Sequence, residues 1–209
     1  MSLSALVMAG GKATRMGGRV EKPVLLVGGK TMLERVVETL RTAQVDRIVV
    51  ATSVITPQTN DDARRLAVET LSTPGNGFEE DMKFAIRNLK LEDVLVVSAD
   101  LPLITPSIIR ETIQRYHESG KPALAVMAKV DDYERLGIKP QYVFETKGEK
   151  VAAVGINMID GRRIDEGELD QEVLMVDSLD LMLNVNNAQE LELARKRLTV
   201  LGQGIPDGN

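Results

Sequence analysis

Apolar positions along the chain switch repeatedly between short unbroken runs and stripes that recur every three to four residues. The runs at Leu3 to Ala9, Arg47 to Thr52, Asp93 to Ser98 and Ala123 to Ala128 have the length of strands buried on both faces. Helical stripes lie between them. Met32, Leu33, Val36, Val37 and Leu40 mark one face of a helix that Thr31 can cap, with Glu34 at the capping-box position. A second helix is predicted over Phe78 to Leu89, with Met82, Ala85, Ile86 and Leu89 inward. A third starts at Pro106 after the cap Thr105, with Ile108, Ile109, Ile113 and Tyr116 on one face. Such alternation predicts βαβ units with right-handed crossovers, and so an α/β fold with a mostly parallel central sheet flanked by helices. Ligands in that architecture bind beyond the carboxyl ends of the strands.

After residue 129 the rhythm changes. Lys129 to Lys139 is charged and irregular, and Tyr142 to Glu145 with Val151 to Met158 alternate around Lys147-Gly148-Glu149. This predicts an inserted β-hairpin region, too short for a core of its own. Val173 to Val176 and Leu181 to Val185 read as further strands, and Ala188 to Leu201 as a closing helix. Residues 1–201 are therefore expected to form a single domain, and 202–209 a mobile tail with little to bury.

Composition narrows the chemistry. The absence of cysteine excludes disulfides, iron–sulfur clusters, thiolate zinc sites and thiol catalysis. The single histidine, His117, falls near the end of a predicted helix and reads as a solvated helix-end residue. Catalysis is left to carboxylates, lysines, amides and a hard metal. A net charge of −5 with no basic stripe argues against a nucleic-acid partner. Lys12, Arg15, Arg19 and Lys22 are the local exception. No apolar run approaches the length of a membrane span, and Met1-Ser2-Leu3 lacks the features of a signal peptide, so no membrane partner and a cytoplasmic location are expected.

The most informative segment follows the first strand. Gly10-Gly11-Lys12-Ala13-Thr14-Arg15-Met16-Gly17-Gly18, then Glu21-Lys22-Pro23, suits a backbone wrapped closely around a triphosphate. Glycines leave no Cβ between main-chain N–H groups and phosphate oxygens and reach left-handed conformations, while Arg15 and Lys22 supply positive charge. The spacing fits neither a P-loop nor a dinucleotide fingerprint. Asp100, closing an apolar strand, stands either as a turn residue or as a hard oxygen ligand for Mg²⁺ on triphosphate oxygens. Asn76, Gly77, Glu79 and Asp81 follow a Pro-Gly turn and read either as a capped, acidic helix start or as polar groups facing a base.

These blocks resemble the nucleotidyltransferases with a Rossmann-like fold, a group that includes sugar-phosphate nucleotidyltransferases and the molybdenum cofactor guanylyltransferase. With Thr73-Pro74-Gly75-Asn76-Gly77-Phe78-Glu79-Glu80-Asp81, Val96-Val97-Ser98-Ala99-Asp100-Leu101 and Ala123-Leu124-Ala125-Val126-Met127, the chain is similar to the archaeal GTP:adenosylcobinamide-phosphate guanylyltransferases over about residues 3 to 195. The resemblance implies transfer of GMP from GTP to adenosylcobinamide phosphate with Mg²⁺ as cofactor. In that reading Gly10, Gly11, Lys12 and Gly17 enclose the triphosphate, Arg15 pairs its outer phosphates, and Lys22 meets charge on the α-phosphoryl group. Asn76, Gly77 and Glu79 face the guanine, Gly155 and Asn157 line the acceptor side, and Asp100 and Asn186 hold the metal. The segment Leu183 to Leu191 departs from the D-I-N-T-x-x-D-L of many relatives, with Asn184 replacing the first Asp and Glu190 the last. The departure leaves the second metal ligand open, and Asn187 as a plain helix N-cap is the alternative account of that loop. A transferase for molybdopterin or a sugar phosphate, and a non-catalytic nucleotide-binding module, remain as alternatives, and a homodimer stays open.

Overall fold

The computed structural model describes residues 3–11, 20–140, 142–146 and 148–203. The first half of the chain follows the expected alternation. Its elements are β1 (Leu3–Met8), the two-residue strands β2 (Leu26–Val27) and β3 (Lys30–Thr31), α1 (Met32–Thr42), β4 (Arg47–Ser53), α2 (Pro57–Arg65), β5 (Glu69–Thr73), α3 (Phe78–Leu89) and β6 (Asp93–Ser98). The second half adds α4 (Pro106–Ser119), β7 (Ala123–Lys129), α5 (Val130–Arg135), β8 (Val143–Thr146), β9 (Glu149–Asp160), β10 (Gln171–Val176) and α6 (Ala188–Gln203). The main sheet runs in the order β10-β7-β9-β6-β1-β4-β5, with β8 paired to the outer part of β9. All its neighbouring strands are parallel except at β9, which runs antiparallel to β6, β7 and β8.

The predicted caps form. Thr31 Oγ accepts the Glu34 N–H at 3.0 Å, and α1 buries Met32, Leu33, Val36, Val37 and Leu40. Glu34 turns its carboxylate to Arg65 at 2.8 Å. Thr105 caps α4 through the Ile108 N–H, and Thr112, whose hydroxyl donates to the Ile108 carbonyl, shares the buried face with Ile108, Ile109 and Tyr116.

Several elements differ from expectation. The polar stretch over residues 57–65 is a helix that buries only Thr59 and Ala63, so it has no apolar stripe to read. The edge strand β5 buries only Thr73. The charged segment after β7 forms the short helix α5, with Asp131 and Asp132 in its first turn and Arg135 in its last, where each favours the helix dipole. Leu181 to Val185 is not a strand. Its apolar residues are buried because successive tight turns plug the core, and the Val185 N–H donates to the Asp100 carbonyl at 2.9 Å. The hairpin is no mere insertion, since the inner part of β9, Ile156 to Asp160, is a central strand of the main sheet. Helix α6 reaches Gln203, past the expected end, and residues 204–209 lie outside the described residues. Among the described residues no helix is long and apolar enough to cross a membrane.

Where β9 ends, Gly161 donates its N–H to the Glu92 carbonyl at 2.6 Å, and a Cβ there would stand 2.1 Å from the Leu91 carbonyl oxygen. That oxygen belongs to backbone and cannot swing aside. Gly161→Ala is expected to destabilise the fold by about 1–3 kcal/mol, the usual range for overpacking. Urea or thermal denaturation checks this; an unchanged midpoint would mean that the strand end shifts freely.

Candidate active site

The carboxyl ends of β1, β4, β5 and β6 converge on one rim of the sheet, and the polar loops that follow them build the site. Gly10 leaves β1 beside Ser53, whose hydroxyl donates to the Gly10 carbonyl at 3.0 Å. A Cβ on Gly10 would lie 3.3 Å from the Ser53 Cβ and 3.4 Å from the Thr52 carbonyl carbon, so glycine permits close approach to β4 there. Gly11 faces open space. Neither has a positive φ, so the left-handed geometry expected of this pair is absent from it. Lys12, Arg15 and Gly17 lie outside the described residues.

The Glu-Lys-Pro segment has a mechanical explanation. The Glu21 carboxylate accepts the Gln58 N–H at 3.0 Å, the Thr59 N–H at 2.6 Å and the Thr59 hydroxyl at 2.7 Å, and so closes the exposed start of α2. Pro23 is buried in the 3₁₀ turn Lys22–Val24. With both neighbours fixed, Lys22 projects inward. Its Nζ donates to Asp100 Oδ2 at 2.6 Å and to Asn186 Oδ1 at 3.0 Å. The sequence places these three residues 78 and 164 positions apart.

Asp100 carries a second oxygen with a different fate. Its Oδ1 is buried and has no hydrogen-bond partner among the described residues. An unbonded carboxylate oxygen out of water is costly, and its chemistry is that of a hard-cation ligand. Asn186 is held by its own hydrogen bonds. Its Nδ2 donates to both the carbonyl and the side-chain oxygen of Asn184 at 3.1 Å, which turns Oδ1 towards Lys22. Its N–H donates to the buried Glu190 carboxylate at 2.6 Å, while the Glu190 N–H donates to Asn187 Oδ1 at 2.9 Å. Asn187 therefore does cap α6, and Asn186 beside it faces the site. The two departures from the relatives' pattern, Asn184 and Glu190, are the groups that fix Asn186. Among the described residues no three of His, Asp and Glu gather as a metal cluster.

Beside this node opens a cleft of about 1170 Å³. Asn76, Gly77 and Glu79 line it from one side, and Gly155, Asn157 and Asn186 from the other, so the structure brings together the residues expected to face base and acceptor. The loop before α3 is shaped by Asp81. Its Oδ1 accepts the Gly75 N–H at 2.9 Å and the Asn76 N–H at 3.2 Å, which commits this carboxylate to the backbone. Gly75 at φ +78° and Gly77 at φ +122° supply the bends. Glu79 is exposed on the first turn of α3, and the Lys83 ammonium at 2.6 Å holds its carboxyl below the ordinary carboxylate range. It is thus an ionised acceptor near neutral pH. On the far wall, Gly155 at φ +99° sits where the pairing of β9 with β7 slips, and a Cβ there would meet Ser98 Oγ at 3.1 Å. Burial pushes the Tyr133 phenol, also on the cleft, up to about 12, so it remains protonated. His117 stands against the Tyr116 ring in the last turn of α4, at the other end of the sheet.

Residues 5–154 match the model of the MobA-like NTP transferase domain. The chain is 31% identical to the adenosylcobinamide-phosphate guanylyltransferase of Methanocaldococcus jannaschii, over 94% of this chain and 97% of that protein. The bifunctional protein GlmU of Zymomonas mobilis is 28% identical over 64% of the chain, which spans 31% of that longer protein. Among solved structures, CMP:2-keto-3-deoxy-manno-octonic acid synthetase complexed with CTP superposes with a TM-score of 0.72 at 15% identity, covering 98% of this chain and all of that one, a likeness of fold. The chain belongs to the MobA-like NTP transferase domain family.

Proposed function

We propose that the chain transfers GMP from GTP to adenosylcobinamide phosphate in the cytoplasm, releasing pyrophosphate and leaving adenosylcobinamide-GDP. The observation that carries this reading is the reach of the guanylyltransferase match. The family model stops at residue 154, whereas that relative aligns over 94% of the chain, more than the family model alone could account for.

In the proposed reaction a phosphate oxygen of the acceptor attacks the α-phosphorus of GTP, and the bond from that phosphorus to the β-phosphate oxygen breaks. The acceptor phosphate is already ionised at neutral pH, so no general base is required. What remains is alignment and charge stabilisation. Gly10 and Gly11, with Lys12, Arg15 and Gly17 that follow in sequence, enclose the triphosphate, and Arg15 pairs its outer phosphates. Asn76, Gly77 and Glu79 face the guanine, and Gly155 and Asn157 the acceptor. Lys22 offers its ammonium to the crowded α-phosphoryl oxygens. Asp100 Oδ1 and Asn186 Oδ1 suit Mg²⁺, which accepts few protein oxygens and completes its shell with phosphates and water. When bound, the ion supplies Lewis-acid neutralisation of the reacting phosphates.

The substrate test is direct. Pyrophosphate release is expected with GTP plus adenosylcobinamide phosphate, and strongly reduced with ATP, CTP or UTP, because a site that pairs polar base edges is left unsatisfied by the wrong base. Molybdopterin and hexose 1-phosphates should not serve as acceptors. Equal rates with all four nucleotides, or turnover of a hexose 1-phosphate alone, would replace this reading.

Lys22→Ala should lower turnover by about a hundredfold to a thousandfold, the cost of removing one preorganised charge, with a smaller effect on GTP affinity. Asp100→Asn should also lose most activity and raise the Mg²⁺ requirement. Because the two side chains touch, the double variant should lose less than the product of the two single losses. Steady-state kinetics across Mg²⁺ concentrations, with a thermal melt of each variant, decide the matter. Independent effects would separate the roles assigned to Lys22 and Asp100.

A further inference from the structure

The chain contains only three phenylalanines, three tyrosines and no tryptophan, yet Phe78, Tyr133, Tyr142 and Phe144 all line the one cleft. Three of them are displayed to solvent, with Phe78 at 48%, Tyr142 at 70% and Phe144 at 49% exposure. Large aromatic rings left in water forfeit burial, and when grouped at a groove they mark a surface that a ligand covers.

Their placement is specific. The register of β9 with β6 ends at Ile156, so the segment Glu149 to Val154 runs on beyond the last residue of β6, and β8 takes the neighbouring place. The hairpin thus overhangs the rim that carries Asp100. Along β9, Ala152, Val154 and Ile156 are buried away from the cleft, whereas Ala153, Gly155 and Asn157 line it. Phe144 pairs with Val151, which places it on the face of Ala153 and Gly155, and Tyr142, two residues earlier, shares that face. The intervening Val143 does not line the cleft. The volume of about 1170 Å³ also exceeds the roughly 300–1,000 Å³ of a pocket for one small molecule, which leaves room for a bulky second ligand beside a nucleotide.

We propose that Phe144 on β8 and Tyr142 just before it, with Phe78 of α3, form the subsite that grips the apolar face of the acceptor's corrinoid ring while its phosphate reaches towards Gly155 and Asn157. This rests on the guanylyltransferase reading. The wall is continuous with the reaction cleft and stands on the β9 side, opposite the loop at Asn76, so the occupant it fits is a broad apolar plate attached to a phosphate.

Equilibrium dialysis of adenosylcobinamide phosphate against the full chain with a non-hydrolysable GTP analogue, read by corrinoid absorbance, tests the subsite. The Tyr142→Ala/Phe144→Ala variant should bind the corrinoid at least about tenfold more weakly. Its affinity for the GTP analogue and its melting temperature should stay close to the parent values. Tyr142→Phe should restore binding when paired with native Phe144. Tyr142→Ala alone, at a position that is mostly in water, gives a readout even if the double variant folds poorly, and should weaken binding severalfold. Unchanged corrinoid binding with normal pyrophosphate release would overturn the subsite and leave the guanylyltransferase reading intact. A parent protein that binds the GTP analogue but no corrinoid would overturn both. If sedimentation shows the parent to be a dimer that the double variant disrupts, the rings belong to an interface between copies and the proposal fails.

Discussion

The ammonium of Lys22 joins three stretches of chain that the sequence keeps far apart: the turn after the glycine-rich loop, the end of β6 at Asp100, and the loop before α6 at Asn186. Its side chain and that of Asp100 are 17% and 16% exposed, which sets the pair between the surface ion pairs worth at most about 1 kcal/mol and the buried ones whose rupture costs about 3–5 kcal/mol. The larger effect is geometric. The Val185 N–H bond to the Asp100 carbonyl ties the same two loops through the backbone, and Glu21 fixes the third against α2. The node is thus held from outside by groups that take no part in it.

A sheet made only of parallel strands would end along one rim and leave the cleft with a single wall. Strand β9 changes this by running the other way between β6 and β7. It enters from beyond the rim, so its first residues and their partner β8 stand out as the second wall. The slipped pairing at Gly155 lets β9 pack against Ser98 at the point where the wall meets the node, a contact that a Cβ would crowd.

Much of this frame can be read from residue order. Buried strands and amphipathic helices declare themselves through unbroken runs and through stripes such as Met32 to Leu40, and Asp100 stands out by closing an apolar run. Where the reading fails, the stabilising groups are polar and distant. Helix α2 gains its start from Glu21, a residue 37 positions before Gln58, and β5 takes its place from pairing with β4. Leu181 to Val185 has the composition of a strand because it fills the core, but its N–H groups are spent in turns and on Asp100. Read along a line, Asn184 looks like the loss of a carboxylate and Glu190 like a carboxylate on a longer stem; in three dimensions they orient Asn186. Asp81, offered by the sequence as a candidate for base contact, is instead consumed in shaping the loop that carries Asn76.

The division of labour between the two oxygens of Asp100 has a consequence for the proposed chemistry. Oδ2 is bonded to Lys22, whereas Oδ1 is buried and unbonded among the described residues. In the proposed reaction Oδ1 would be the oxygen of Asp100 left to hold a divalent ion while Oδ2 keeps the lysine, and both positive charges would serve to neutralise phosphate oxygens. A second carboxylate at position 186 would add negative charge where a triphosphate must enter. The amide avoids that repulsion yet still offers an oxygen, and its hydrogen bonds to Asn184 remove the rotation that would present its N–H groups instead. In the proposed reaction such a site would trade some metal affinity for easier entry of an anionic nucleotide and an anionic acceptor, the balance required when two phosphates of like charge must be brought into contact.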